Sequence, residues 1–223
     1  MMMANRRDAT VDVLLHLDSS LVNSANGANP SASYNTNLLL YKTGKFDNGL
    51  SRTAGFNDDA RLLYEYDIPY NGKHNFTIDF WVNTKSGSEY SCGVGIGKAY
   101  QTVDYDFIYN CDIFIKCGYP NAYLQPMIFT DGDSTPYSPS GFLTANVFNH
   151  IAVCYNYATN TMYIFINGNL TRTITSVLTH ALTTTPIAFI SVADSDVIID
   201  EVRVSNVVRW TASFTPPTSP YTI

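Results

Sequence analysis

With 223 residues and 45% hydrophobic side chains, the chain can bury a full core as one large all-β domain or two small ones. Its formal net charge of −6, from 13 Lys and Arg against 19 Asp and Glu, excludes the clustered cationic surface that a nucleic-acid groove needs. Sixteen Tyr and twelve Phe beside 14% charged residues suit strands, which favour aromatic and β-branched side chains.

The opening MMMANRRDAT lacks the apolar segment of a signal peptide, and no window reaches the roughly 18 apolar residues of a membrane span. The expectation is therefore synthesis in a cytoplasm with no membrane insertion. Cys92, Cys111, Cys117 and Cys154 are then expected to be reduced and structural. Residues 1–10 read as a flexible arm.

A first strand follows in VDVLLHLD, where Val11, Val13, Leu15 and Leu17 alternate with Asp12, Leu14 and His16 and the run ends at Asp18. A long Ser/Asn/Gly-rich loop, SSLVNSANGANPSAS, leads to NLLLYKTGKFDNGL, a short strand whose Gly44 and Gly49 bracket an inward-tucked Phe46. RLLYEYDIPY is another strand, broken at Pro69. The clearest alternation is NFTIDFWVN: Phe76, Ile78, Phe80 and Val82 make one apolar face, and Thr77, Asp79 and Trp81 face the other way. SCGVGIG, DYDFIYNCDIFIK and AYLQPMIF are strand-like but have few breakers. CGVGIGK lacks the spacing and following helix of a phosphate loop.

FNHIAVCYN resumes the alternation, with His150 expected as a packed core or rim residue, and TMYIFINGNLTRTI carries the Asn-Gly signal of a tight hairpin. Final strand VIIDEVRV places Val197, Ile199, Glu201 and Arg203 on one face and Ile198, Asp200, Val202 and Val204 on the other. An apolar second face interrupted by Asp200 requires that carboxylate to be at the rim, hydrogen-bonded or bound to a cation. Pro216 and Pro217 then stop regular structure after the aromatic Phe214. No window keeps a helical period, so the expected fold is all-β, a single two-sheet sandwich.

Five pieces in order, VLLHLD, GKFDNGL, FTIDFWV, FNHIAVCYNYATNTMYIFINGN and IDEVRVSNVVRWTASFTPP, resemble the laminin-G-like members of the concanavalin A-like lectin/glucanase superfamily. The forms common in bacteriophage virion and tail proteins look closest. The resemblance implies a jelly-roll sandwich of two antiparallel sheets over residues 11–217, with residues 218–223 as a tail. It also implies that the first and last strands pair and that rim loops bind sugar where anything is bound. The glucanase signature is incomplete, since Glu65-Tyr-Asp67 lacks its second glutamate, which argues against hydrolysis by paired carboxylates.

If the first and last strands pair, Asp18, Asp200 and Glu201 can supply oxygens to a calcium ion. The other reading is that Asp18 caps a turn and Glu201 pairs with Arg203 or Arg52. Asp131-Gly-Asp133 and Asp194-Ser-Asp196 read as turns. Tyr100, Tyr105, Tyr119, Asn121, Tyr123 and Tyr137 have the chemistry for sugar stacking and hydroxyl bonding, or simply for packing. The expected function is non-catalytic: a virion protein or fibre module, made in the host cytoplasm, that recognises a host-surface glycan. The alternatives are a purely structural virion protein contacting other virion proteins, with homo-oligomerisation left open, and a polysaccharide-degrading enzyme.

Overall fold

The computed structural model describes residues 10–53, 60–65, 74–85, 92–97, 111–117, 126–130, 137, 141–177, 187–192 and 196–222. Among the described residues, fourteen strands run β1 (Val11–Leu15), β2 (Ala32–Tyr34), β3 (Leu39–Thr43), β4 (Asn48–Arg52), β5 (Ala60–Glu65), β6 (Phe76–Thr84) and β7 (Cys92–Gly97), then β8 (Cys111–Cys117), β9 (Met127–Thr130), β10 (Phe148–Asn156), β11 (Thr161–Ile166), β12 (Asn169–Thr175), β13 (Ile187–Val192) and β14 (Val197–Ser205).

They form two antiparallel sheets, the expected jelly-roll sandwich. The larger has eight strands in the order β12-β11-β10-β6-β14-β4-β3, with β1 also paired to β14. The smaller has six, in the order β2-β5-β13-β7-β8-β9. Inward residues of both sheets merge in one core. Phe76, Ile78, Phe80 and Val82 of β6 meet, among others, Val94, Ile96, Ile113, Ile115 and Ile190 of the smaller sheet. Burying such side chains is worth roughly 1.5–3 kcal/mol each and is the main force holding the sheets together. Cys92, Cys117 and Cys154 are buried; Cys92 Sγ lies 3.7 Å from the Cys117 carbonyl oxygen, and Cys154 Sγ accepts from Thr77 Oγ1 at 3.4 Å. CGVGIG is the buried strand β7.

Strand β14 corrects the sequence reading. Its core residues are Val197, Ile199, Val202 and Val204, which span both of the expected faces. The cause is a β-bulge: Asp200 pairs with Trp81 and Arg203 with Asp79, so two residues of β14 oppose Phe80 alone. Glu201 takes the bulge in a left-handed conformation, φ 50°. The extra residue switches the phase, so Asp200, Glu201 and Arg203 leave the core face and lie on the outer side of the sheet.

That outer side is itself covered. After β14 the chain turns back as a strap, residues 206–222. Trp210 and Phe214 stack with ring centroids 3.8 Å apart and an interplanar angle of 4°. They pack on Phe165, Ala152 and Cys154. Tyr221, placed in the tail by sequence, is 4% exposed and joins Leu14 and Trp81 in a second cluster. Gly168 of the β11–β12 turn has φ +76°, and a Cβ there would collide with the Phe214 carbonyl oxygen. Its carbonyl accepts the Phe214 N–H at 2.8 Å. Only glycine satisfies both conditions.

Candidate functional site

The outer face of the eight-stranded sheet carries the chain's unusual chemistry, and its two parts differ. In the centre lies a buried polar network. Asp79 of β6 is fully buried and receives two bonds from Arg203 of β14, Nε to Oδ1 at 3.0 Å and Nη2 to Oδ2 at 2.8 Å. His150 of β10 places Nε2 at 3.4 Å from the same carboxylate and 2.9 Å from the Tyr221 hydroxyl. Burial alone would raise the Asp79 pKa, but the Arg203 charge and the bonds from His150 and Arg203 outweigh it and hold the pKa at about 2. The Arg203 guanidinium lies 4.0 Å over the Tyr221 ring. Asp79, Arg203, His150 and Tyr221 are linked to one another and covered, so the network fastens the strap to the sheet.

Beside it the GKFDNGL piece forms the β3–β4 hairpin. Lys45 and Phe46 backbone N–H groups donate to Asp200 Oδ2 at 2.7 and 3.0 Å. A Cβ on Gly44 would sit 2.6 Å from that oxygen. Phe46 packs edge-on to Trp81, and Lys45 Nζ lies 4.3 Å over the Trp81 ring. The inward tuck expected of Phe46 is thus a tuck onto the outer face. Burial, with the Glu201 charge adding to it, pushes the Asp200 pKa up to about 7 despite the two N–H donors.

The proposed metal residues separate. Asp18 and Glu201 come together with His16, with one ligating atom from each within 4.8 Å of the others, whereas Asp200 caps the hairpin. Asp18 Oδ1 accepts the Asn48 N–H at 2.9 Å, so Asp18 does cap a turn. Glu201 is held by His16 and by the strap backbone. Its Oε1 is 2.7 Å from His16 Nδ1, and its Oε2 accepts the Tyr221 N–H at 2.7 Å. The hydrogen bond to Glu201 raises the His16 pKa. Calcium takes six to eight oxygens. Here one of three donors is an imidazole nitrogen and both Glu201 oxygens are engaged, so the set fits calcium poorly.

At the other end of the same face, the strap does not reach. Phe148, Asn83 and Ile198 stand in a row across β10, β6 and β14, all half-buried. A cleft of about 210 Å³ opens there, lined by Lys42, Asn83, Lys85, Asn146, Asp196 and Ile198. Lys85 and Asp196 form an exposed ion pair at 3.2 Å. The cleft's wall is pinned by Asn149, whose buried amide bonds Thr144, Val147 and Asn167. Asn146 enters with φ 61° and donates its N–H to the Thr84 carbonyl at 2.8 Å.

Of the six residues expected to bind sugar, Tyr100, Tyr105, Tyr119, Asn121 and Tyr123 lie outside the described residues, as do Asp67, Asp131 and Asp133. Tyr137 is described: it packs against the core and under Arg172, 5.7 Å over its ring, so its surroundings are those of packing. Asp196 is at a turn, as read, but also lines the cleft. Neither the cleft nor the buried network was visible from motif spacing. One signal was available: Asp79 and Arg203 are opposite charges on the non-core positions of two otherwise apolar strands.

Similarity to known proteins agrees with this architecture. No curated protein sequence matches the chain. Among solved structures, domain 4 of the arabinanase AbnA from Geobacillus stearothermophilus, in complex with arabinotriose, superposes with a TM-score of 0.57 at 15% identity, over 89% of this chain and 93% of that one. The binding domain of Paraclostridial Mosquitocidal Protein 1 gives 0.61 at 12% identity over 91% of this chain, which spans about half (50%) of that domain's length. The carbohydrate recognition domain of Emp46p, in a potassium-bound form, gives 0.52 at 13% identity over 76% and 87% of the two chains. At such identities these likenesses show the fold. The sequence family matching residues 66–212 makes the assignment, and the chain belongs to the concanavalin A-like lectin/glucanases superfamily.

Proposed function

We propose that this protein is a non-catalytic carbohydrate-recognition part of a bacteriophage virion or fibre, engaging a host-surface glycan through the rim cleft. The observation that carries the reading is the division of the outer face. The strap closes its centre and leaves one end open, where amides, amines and a carboxylate surround an apolar floor. A sugar needs that mixture, since its hydroxyls both donate and accept while its C–H face prefers apolar contact. The arabinotriose complex and the carbohydrate recognition domain among the structural neighbours support a saccharide ligand. The virion setting rests on the resemblance of the five sequence pieces to phage proteins.

The placement of carboxylates supports binding without hydrolysis. Asp79 is held by Arg203, and Glu201 by His16 and the Tyr221 backbone. Among the described residues Asp196 is the one carboxylate lining the cleft. Glycoside cleavage ordinarily uses two, about 5–9.5 Å apart.

A glycan array probed with the intact protein, in calcium and again in chelator, tests the reading. The expected result is selective binding to one glycan class, unchanged by chelator and lost in the double variant Asn83→Ala, Asn146→Ala. The absence of binding, together with a discrete oligomer in solution, would transfer the assignment to a structural virion protein. One observation favours that second reading: edge strand β3 exposes Leu40 and Tyr41, each by 40%.

A further inference from the structure

We infer that the cleft takes a single uncharged sugar residue at the end of a glycan, held by the Asn83 and Asn146 amides over Phe148 and Ile198; this deepens the carbohydrate reading above and rests on it. The charges that line the cleft are already engaged within the chain. Lys85 pairs with Asp196 at 3.2 Å, and Lys42 has a partner as well. The amides differ. Among the described residues, neither the Asn83 nor the Asn146 side chain has a hydrogen bond within the protein, whereas the neighbouring Asn149 amide is bonded to Thr144, Val147 and Asn167.

Both amides stand on fixed backbone. Asn83 is paired in register with Phe148 on one side and Ile198 on the other, and the Asn146 N–H is anchored on the Thr84 carbonyl at 2.8 Å. Directly opposed residues on neighbouring strands stand about 5 Å apart, so Phe148, Asn83 and Ile198 form a row about 10 Å long. In that row an amide lies between an aromatic ring and an aliphatic side chain. A sugar lying along it sets its C–H face on the apolar flanks while its hydroxyls meet the amides, each of which both donates and accepts. The cleft holds about 210 Å³, less than the roughly 300–1,000 Å³ of a pocket that buries a drug-sized ligand. One ring therefore enters, and the rest of the glycan stays in solvent. An acidic sugar fits less well. Its carboxylate would meet Asp196 and the field of a chain at −6, and would reach Lys85 only in competition with Asp196.

The test puts the intact protein on a glycan array in which each chain ends in a neutral hexose or in the same hexose capped by sialic acid. The strongest hit is then titrated by calorimetry at low and high salt, with wild type, Asn83→Ala and Phe148→Leu, each variant first shown by its melting curve to be folded. The expected result is binding of neutral-ended glycans and loss of binding on capping, with affinity changing less than about twofold with salt. Asn83→Ala should lose roughly tenfold and Phe148→Leu roughly three- to fivefold. Binding confined to sialylated glycans, affinity that falls steeply with salt, or affinity indifferent to both substitutions overturns the inference while carbohydrate recognition stands. Equal binding of capped and uncapped chains overturns it too, because the bound ring would then be internal. A blank array with both sets removes carbohydrate recognition itself, and this inference with it.

Discussion

The two ends of strand β6 put polar side chains on the same face of the same sheet, and their fates are opposite. Asp79 and Trp81 are sealed, Asp79 among groups of the strap network and Trp81 beneath Tyr221 and the β3–β4 hairpin. Asn83, two residues further on, opens into a cleft. What separates them is the reach of these covering segments, not residue chemistry. A buried carboxylate under cover must be satisfied internally, and Arg203 and His150 satisfy Asp79. A polar group beyond the cover is solvated in the free protein and available to a partner. Polarity on a strand's outer face is therefore informative about function only once the covering segment is known.

The sharpest way to break this contrast is to remove Arg203. Arg203→Ala leaves Asp79 buried without its guanidinium, and such a loss costs about 3–5 kcal/mol, measurable by chemical denaturation. A cost below about 1 kcal/mol would show that the centre is solvated and the strap loose. Next in size is Gly168→Ala, which forces a Cβ against the Phe214 carbonyl at positive φ. We expect a loss of about 1–3 kcal/mol, with tryptophan emission shifting red as Trp210 is released.

The third prediction concerns pH. Asp200 and Asp12 are pushed up to about 7, chiefly by burial, so the folded state holds their protons where the unfolded chain has lost them. His16, raised by Glu201, stabilises the fold fully below its unfolded pKa and loses that contribution as pH rises through its folded one. All three effects have one sign, so their contribution to the melting temperature should decline from about pH 4, where the unfolded carboxyls ionise, to the folded value of about 7, with the His16 part lost above its unfolded pKa. Asp200→Asn keeps an oxygen for the Lys45 and Phe46 N–H groups and should flatten the fall. A variant as steep as wild type would remove Asp200 from the account. The smallest expected effect is Asn83→Ala, within about 0.5 kcal/mol in stability, because the cleft contributes little to folding. A larger loss would mean that the open end is structural too.

Much of the fold was legible because apolar alternation survives in the strands that form the core. FTIDFWV, FNHIAV and the Asn-Gly hairpin fall where their periodicity places them. The β14 faces were not legible, because one residue at φ 50° reverses the phase and no local residue type announces it. Glu201 is neither Gly nor Asn, the usual occupants of that conformation. The candidate site was less legible still. Its residues come from β3, β6, β14 and three loops, so only the folded topology assembles them. Tyr137, whose type suited either sugar stacking or packing, lies against the core with Arg172 over its ring. His16 joined Asp18 and Glu201 through the pairing of β1 with β14, which the resemblance implied, but the histidine carried no spacing signal of its own.

The position of β14 also governs how the molecule can be made. It is the last strand of the described residues, yet it sits between β6 and β4 and pairs with β1 as well. Until it leaves the ribosome, β4 and β6 each lack a neighbour, and β1 has no partner in the sheet. Pairing Val11 with Ser205 closes a loop of nearly the whole chain, a contact of long sequence separation that makes folding slow. The nascent chain thus waits with unpaired strand edges, a state prone to association with its own copies. The sheet is complete only when β14 has been made and has paired with β1, β4 and β6, and that pairing is the step that commits the chain to its native form.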